Sequence, residues 1–178
     1  GFELVFVADA NAEVAAKAGQ AHGIPGVVDP TPLLAGVDAV VICTPTVTHA
    51  DYIRLVAAHV KNIFVEKPLA ATLDEAQVIA AFAKDKGLNV QVGFIERFNP
   101  AVQALKMVLN KSERVISLDF TRTNKVSSRI TDVDVVTDLM IHDIDLALYL
   151  NGPARSVAAH GFAHGSMIDF ASALITHE

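Results

Sequence analysis

Cysteine is almost missing from the 178 residues: Cys43 stands alone. A lone thiol excludes an internal disulfide framework and any multi-cysteine zinc site, and it suits a reducing cytoplasm. Long apolar runs are lacking as well. Although 52% of the residues are hydrophobic, the longest strongly apolar stretch, Ala39 to Cys43, is strand-sized, well short of the ~18 residues a spanning helix needs. The chain has no basic run, and 14 Lys and Arg against 20 Asp and Glu leave a net charge of −6. That balance argues against nucleic acid and anionic membrane as partners. No signal-peptide pattern opens the chain, where Gly1-Phe2-Glu3 leads directly into an apolar segment. What is present in quantity is apolar surface, enough to offset ordering entropy and exclude disorder. The expectation is a soluble, cytoplasmic protein of one ordinary domain or two small ones.

The first half alternates strand-like runs with helical stretches. Leu4 to Ala8 reads as a strand buried on both faces and ending at Asp9. Glu13 to Ala21 is an alanine-rich helix closed by Gly23 and Pro25. Thr31-Pro32 suggests an N-cap with proline at the first helical position. Strands are predicted at 39–43, 62–65 and 89–92. Helices are predicted from Thr48 to His59 and, behind the capping-box spacing Thr72-x-x-Glu75, to Lys86. This order implies right-handed crossovers and a parallel sheet. Near residue 95 the pattern changes. A helix from Pro100 to Leu109 is followed by an alternating, half-exposed strand over Arg114 to Thr123 and a polar loop over Asn124 to Thr131. A helix from Val133 to Leu150 and strands at 156–162 and 167–175 complete the chain. The expected class is α/β: an incomplete Rossmann-type parallel sheet over 1–95, then part of an α+β domain with an open, mainly antiparallel sheet over 96–178.

Four places carry chemistry-bearing residues. Asp9 ends a strand, where a carboxylate can accept hydrogen bonds from ribose hydroxyls; it can equally cap a turn or helix. Its charge would repel a 2′-phosphate, which favours NAD over NADP. Thr44-Pro45-Thr46-Val47-Thr48-His49 lies past the carboxyl end of a buried strand, where open parallel sheets bind ligands. Thr46 or Thr48 can cap the next helix and free its amides for phosphate or ribose, or the segment is a plain capped turn. Glu66-Lys67-Pro68 follows the next strand; Lys67 there can polarise a substrate hydroxyl, or form a solvated ion pair with Glu66. Asp138 and His142 stand four apart on a helix, with Asp145 on roughly the same side. A carboxylate beside the imidazole would raise its pKa and prepare a general base. A metal site is not indicated, because no second histidine lies at ligand spacing.

In order, Thr44-Pro45-Thr46…His49, Glu66-Lys67-Pro68, Gly93-Phe94-Ile95-Glu96-Arg97-Phe98-Asn99-Pro100 and Asp138-x-x-x-His142 resemble the Gfo/Idh/MocA oxidoreductases over nearly the whole chain. The Ile95 to Pro100 segment is most similar to members acting on nucleotide-linked amino sugars. The resemblance implies an N-terminal Rossmann domain binding NAD and a C-terminal sheet used for homo-oligomerisation. It implies oxidation of a secondary hydroxyl of a sugar or nucleotide-sugar. Lys67 and His142 would be catalytic with Asp138 beside them, and Asp9, Thr44, Pro45, Thr46, His49, Glu66 and Lys67 would line the cofactor site. Arg97, Asn99 and Arg122 are substrate contacts by position only, the alternative for the arginines being ion pairs within the protein. The ten glycines include no Gly-x-Gly-x-x-Gly, and the chain reads as starting at the family's second strand and ending before its sheet is complete. A second reading is therefore a non-catalytic ligand-binding or oligomerisation module derived from the same fold.

Overall fold

Asn11 opens helix α1 (Ala12–His22) by accepting the Glu13 and Val14 amides on its side-chain oxygen, and Gly23 closes it in the left-handed region at φ 66°. Residues 1–111, 115–123, 134–165 and 167–178 are described by a computed structural model of the chain. The chain divides into two compact units: Gly1–Thr44, Thr48–Val65 and Thr72–Gln91, and then Pro45–Val47, Glu66–Ala71 and Val92–Glu178.

In the first unit, β1 (Val7–Ala8) pairs in parallel with β2 (Gly26–Val27). Strands β3 (Ala39–Ile42) and β4 (Asn62–Val65) pair in parallel from Ala39↔Asn62 to Ile42↔Val65, and β5 (Asn89–Val92) continues on the far side of β4. The helices α2 (His49–Ala57) and α3 (Leu73–Lys86) connect these strands. Leu34, Ile53, Val56, Ile63, Val65 and Ile79 are fully buried, each contributing roughly 1.5–3 kcal/mol of transfer free energy. Glycine is demanded where α1 lies on β2: a Cβ on Gly26 would stand 2.0 Å from the Ala15 carbonyl oxygen.

Several expectations change in detail. The first strand is two residues long, and Leu4 and Val5 are exposed, because the short β2 is its only partner among the described residues. The turn over Thr31–Gly36 is 3₁₀ with Pro30 at its N-cap, and the Asp29 carboxylate just upstream accepts the Thr31 amide at 2.9 Å. An aspartate two residues upstream makes that Asx turn more readily than a threonine leading into proline.

The second unit contains a 3₁₀ turn (Ile95–Phe98), α4 (Pro100–Leu109), a π turn (Val136–Met140) running into α5 (Ile141–Asn151), and the antiparallel strands β6 (Ala154–His164) and β7 (Met167–His177). Their register runs Val157↔Ile175 to Phe162↔Phe170 before a shift at Ala163. The strand expected over 114–123 does not form: residues 115–123 have no regular structure. Alternation supplies two faces but no hydrogen-bonding partner, and β6 and β7 pair with each other. Arg114 and the loop expected over Asn124 to Thr131 lie outside the described residues. Among the described residues no helix is long and apolar enough to cross a membrane.

Candidate active site

Strand β4 ends at Val65, and Glu66, Lys67 and Pro68 follow at once in the second unit. Glu66 turns back to accept the Lys67 amide at 3.2 Å. The Lys67 ammonium donates to the Asp138 carboxylate at 2.8 Å and to the Asp138 main-chain carbonyl at 2.9 Å. Both side chains are largely withdrawn from water, 17% and 18% exposed. Asp138 lies inside the π turn, where Ile141 N–H reaches back to the Val136 carbonyl. Such turns widen a helix locally and recur at functional sites.

His142 is the second residue of α5. Its Nδ1 is buried without a hydrogen-bond partner among the described residues, and its pKa is pushed below 6.5, first by burial, then by the Lys67 and Arg122 charges, against the opposing Glu96 and Asp143. The expected pairing of Asp138 with His142, and the raised pKa it would bring, are therefore corrected. The carboxylate goes to the lysine because a charge-assisted bond to an ammonium outweighs one to a neutral imidazole.

The two arginines both lie in carboxylate pairs. Arg97 donates from Nε to the buried Asp145 at 2.8 Å, and its guanidinium lies over the Phe94 and Tyr149 rings at 5.4 and 5.3 Å. Arg122 grips Asp143 through Nε and Nη2 at 3.1 and 3.0 Å and reaches Glu96 at 3.5 Å. These anions raise both guanidinium pKa values. Asn99 caps α4 by accepting the Ala101 amide and donates to Glu96 at 3.2 Å. The structure thus gathers Glu66, Lys67, Asp138, His142, Arg97, Asn99 and Arg122 in the second unit, together with Pro45 and the buried Thr46. The roles of Asp143 and Asp145 as arginine partners were hidden in the sequence, where only their spacing on the helix is visible.

In the first unit, Thr48 stands at the N-cap of α2 without a side-chain bond to the helix, and its hydroxyl donates to Thr44 Oγ1 at 2.8 Å. The buried His49 ring places Nε2 2.9 Å from the Thr44 carbonyl. Asp9 accepts the Asn11 amide on Oδ1 at 2.8 Å. No other partner of its carboxylate occurs among the described residues, so Oδ2 keeps its acceptor capacity. An exposed, uncompensated carboxylate at a strand end fits a ribose diol, and it fits NAD better than a 2′-phosphorylated cofactor.

Parallel strands with helical crossovers and an acidic strand end are the architecture of a Rossmann-type dinucleotide-binding fold. The chain belongs to the Gfo/Idh/MocA oxidoreductase family, whose description is an NAD-binding Rossmann fold and which residues 1–94 match. It is similar to the UDP-N-acetylglucosamine 3-dehydrogenase of Acidithiobacillus ferrooxidans, 35% identical over 84% of this chain and 47% of that protein. It is also similar to the scyllo-inositol 2-dehydrogenase (NAD(+)) of Bacillus subtilis, 38% identical over 71% of this chain and 39% of that protein. A solved structure of the Acidithiobacillus protein matches with a TM-score of 0.81 at 32% identity, covering 98% of this chain and 58% of that one. The chain spans about half the length, or less, of these curated relatives.

Proposed function

We propose that the intact enzyme is an NAD-dependent dehydrogenase oxidising a secondary hydroxyl of a sugar or nucleotide-sugar. The observation that carries this reading is the doubly held Lys67 ammonium in the same unit as a neutral, half-buried His142. An ammonium has three N–H donors; Asp138 takes two, which leaves one for the substrate hydroxyl oxygen. Lys67 would fix and polarise that oxygen, and Nε2 of His142 would take its proton. Asp138 acts as the anchor of the lysine. Bound NAD would supply the hydride acceptor. Asp9 would hold its adenosine ribose, with Thr44, Pro45, Thr46, His49 and Glu66 toward the rest of the cofactor. Residues 1–95 would serve the dinucleotide and 96–178 the substrate. Asn99 would face the substrate, while Arg97 and Arg122 take the ion-pair alternative.

The two relatives support a polyhydroxylated substrate, since one is named for a nucleotide-sugar and the other for an inositol. Phe162, Phe170 and Leu174 share one face of the β6–β7 pair and are 63%, 57% and 72% exposed. An apolar face of this kind supports homo-oligomerisation through the C-terminal sheet. The test is NAD reduction by the intact enzyme with a panel of nucleotide-sugars and inositols, alongside Lys67→Met and His142→Gln. Reduction with one member and its collapse in both variants is expected. Turnover surviving in both variants would overturn the assignment.

A further inference from the structure

One guanidinium occupies two carboxylates whose charges act on His142. Arg122 donates to Asp143 at 3.0–3.2 Å through Nε and Nη2, and its Nη1 lies 3.5 Å from Glu96. Asp143 is the next residue after His142 on α5, and Glu96 belongs to the 3₁₀ turn Ile95–Phe98. We propose that Arg122 is a positioning residue for His142, clamping Asp143 and Glu96 so that their charges do not act unopposed on the imidazole. The inference rests on the reading of His142 as the proton acceptor.

Among the described residues, charges from several elements act on His142. Lys67 follows β4, Asp138 lies in the π turn, Glu96 lies in the 3₁₀ turn, and Asp143 shares α5. Arg97 and Asp145 are already matched to each other. Lys67 and Asp138 are likewise matched. That leaves Arg122, Asp143 and Glu96 as the adjustable set. Their side chains are only partly exposed, so solvent screens them less than a surface pair. The buried Nδ1 has no hydrogen-bond partner among the described residues, so burial and the charges around the ring, rather than a fixed partner, act on its protonation. Removing Arg122 acts twice in one direction, since a cation leaves and two anions lose their counter-ion. Removing Asp143 acts in the opposite direction. A pair that merely braced the helix would behave differently, because loosening from either side would hydrate the ring and raise its pKa in both cases.

The experiment follows the His142 titration by NMR in the intact protein with ¹³Cε1-labelled histidine, the signal being assigned by its loss in His142→Gln. Arg122→Gln is expected to raise the His142 midpoint and to move the acid limb of kcat/KM upward with it. Arg122→Lys should hold the midpoint near that of the unmodified protein, and Asp143→Asn should lower it. An unmoved midpoint in Arg122→Gln, or upward movement in both Arg122→Gln and Asp143→Asn, overturns the proposal. If the midpoints move as stated while no sugar or inositol reduces NAD, the clamp stands and the catalytic reading falls.

Discussion

Lys67 is bound twice by the same residue, through the carboxylate of Asp138 at 2.8 Å and through its main-chain carbonyl at 2.9 Å. The first bond depends on the side chain and the second on the π turn, so the lysine is tied to the shape of the helix entry as well as to a charge. In Asp138→Asn the carbonyl bond survives and the lysine loses its counter-ion. In Lys67→Met a carboxylate only 18% exposed is left without its cation, at a cost of about 1–3 kcal/mol. Turnover should fall roughly 10²-fold or more in Lys67→Met, with a smaller loss in Asp138→Asn. Denaturant unfolding and steady-state kinetics on both variants check this. A greater loss of turnover in Asp138→Asn would reverse the roles assigned to the pair.

A second pair should matter for folding. Asp145 is buried and holds Arg97, whose guanidinium lies against Phe94 and Tyr149. Asp145→Ala leaves that cation facing rings without an anion. Breaking a fully buried pair costs roughly 3–5 kcal/mol, and the 38% exposure of Arg97 reduces this to about 2 kcal/mol. A drop in Tm should follow, and Asp145→Ala with Arg97→Met should recover part of it because the stranded charge is gone. A double variant less stable than the single would contradict this account.

The parts of the fold written locally were legible. Thr72 and Gly87, and Asn99 with Pro100, mark the limits of α3 and the start of α4 through their own backbone chemistry. The segment Arg114 to Thr123 misled because alternation describes side-chain faces, while a strand also needs a neighbour to bond. At the site, Lys67, Asp138 and His142 could be named from position and resemblance, but their pairing could not. Spacing four apart on a helix suggests an Asp138–His142 contact, whereas the lysine that takes the carboxylate comes from 71 residues earlier. Competition of that kind is decided by charge and tertiary placement, which no local pattern records. The same reason hides the partners of Arg97 and Arg122.

Thr72 provides a control at a residue given no part in the chemistry. Its hydroxyl oxygen accepts the Glu75 amide at 3.2 Å and caps α3. Thr72→Ala should lower stability by about 1 kcal/mol and leave kcat and KM unchanged. A substantial change in KM would show that the start of α3 takes part in binding.

The exposed face of β6 and β7 sets another expectation. Phe162 and Phe170 are directly paired across the two strands, and Leu174 lies on the same face. Replacing both phenylalanines with glutamate places charges opposite each other on that face, which disfavours its burial in an interface. Sedimentation of the intact protein should show a smaller species in Phe162→Glu with Phe170→Glu, with unchanged far-UV circular dichroism. An oligomer of the original size would place the interface elsewhere.

The His142 pKa also fixes the sign of a stability effect. Its value in the folded protein lies below the ordinary 6.5, with burial the largest cause and the Lys67 charge next. Above 6.5 the imidazole is neutral both folded and unfolded, and the full stability is present. As pH falls below 6.5 the unfolded chain binds the proton first, so the folded state loses ground until the pH passes the lower folded value, after which the loss levels off. Carboxylates titrate further down the same scale, so the comparison must be with His142→Gln under identical conditions. The difference in unfolding free energy between the two proteins should rise with pH across the window just below 6.5. The acid limb of kcat/KM should lie below 6.5 for the same reason, since the imidazole stays neutral and able to accept a proton there. A difference curve that falls with pH in that window would mean that the carboxylates around His142, rather than its burial and the two cations, govern the ring.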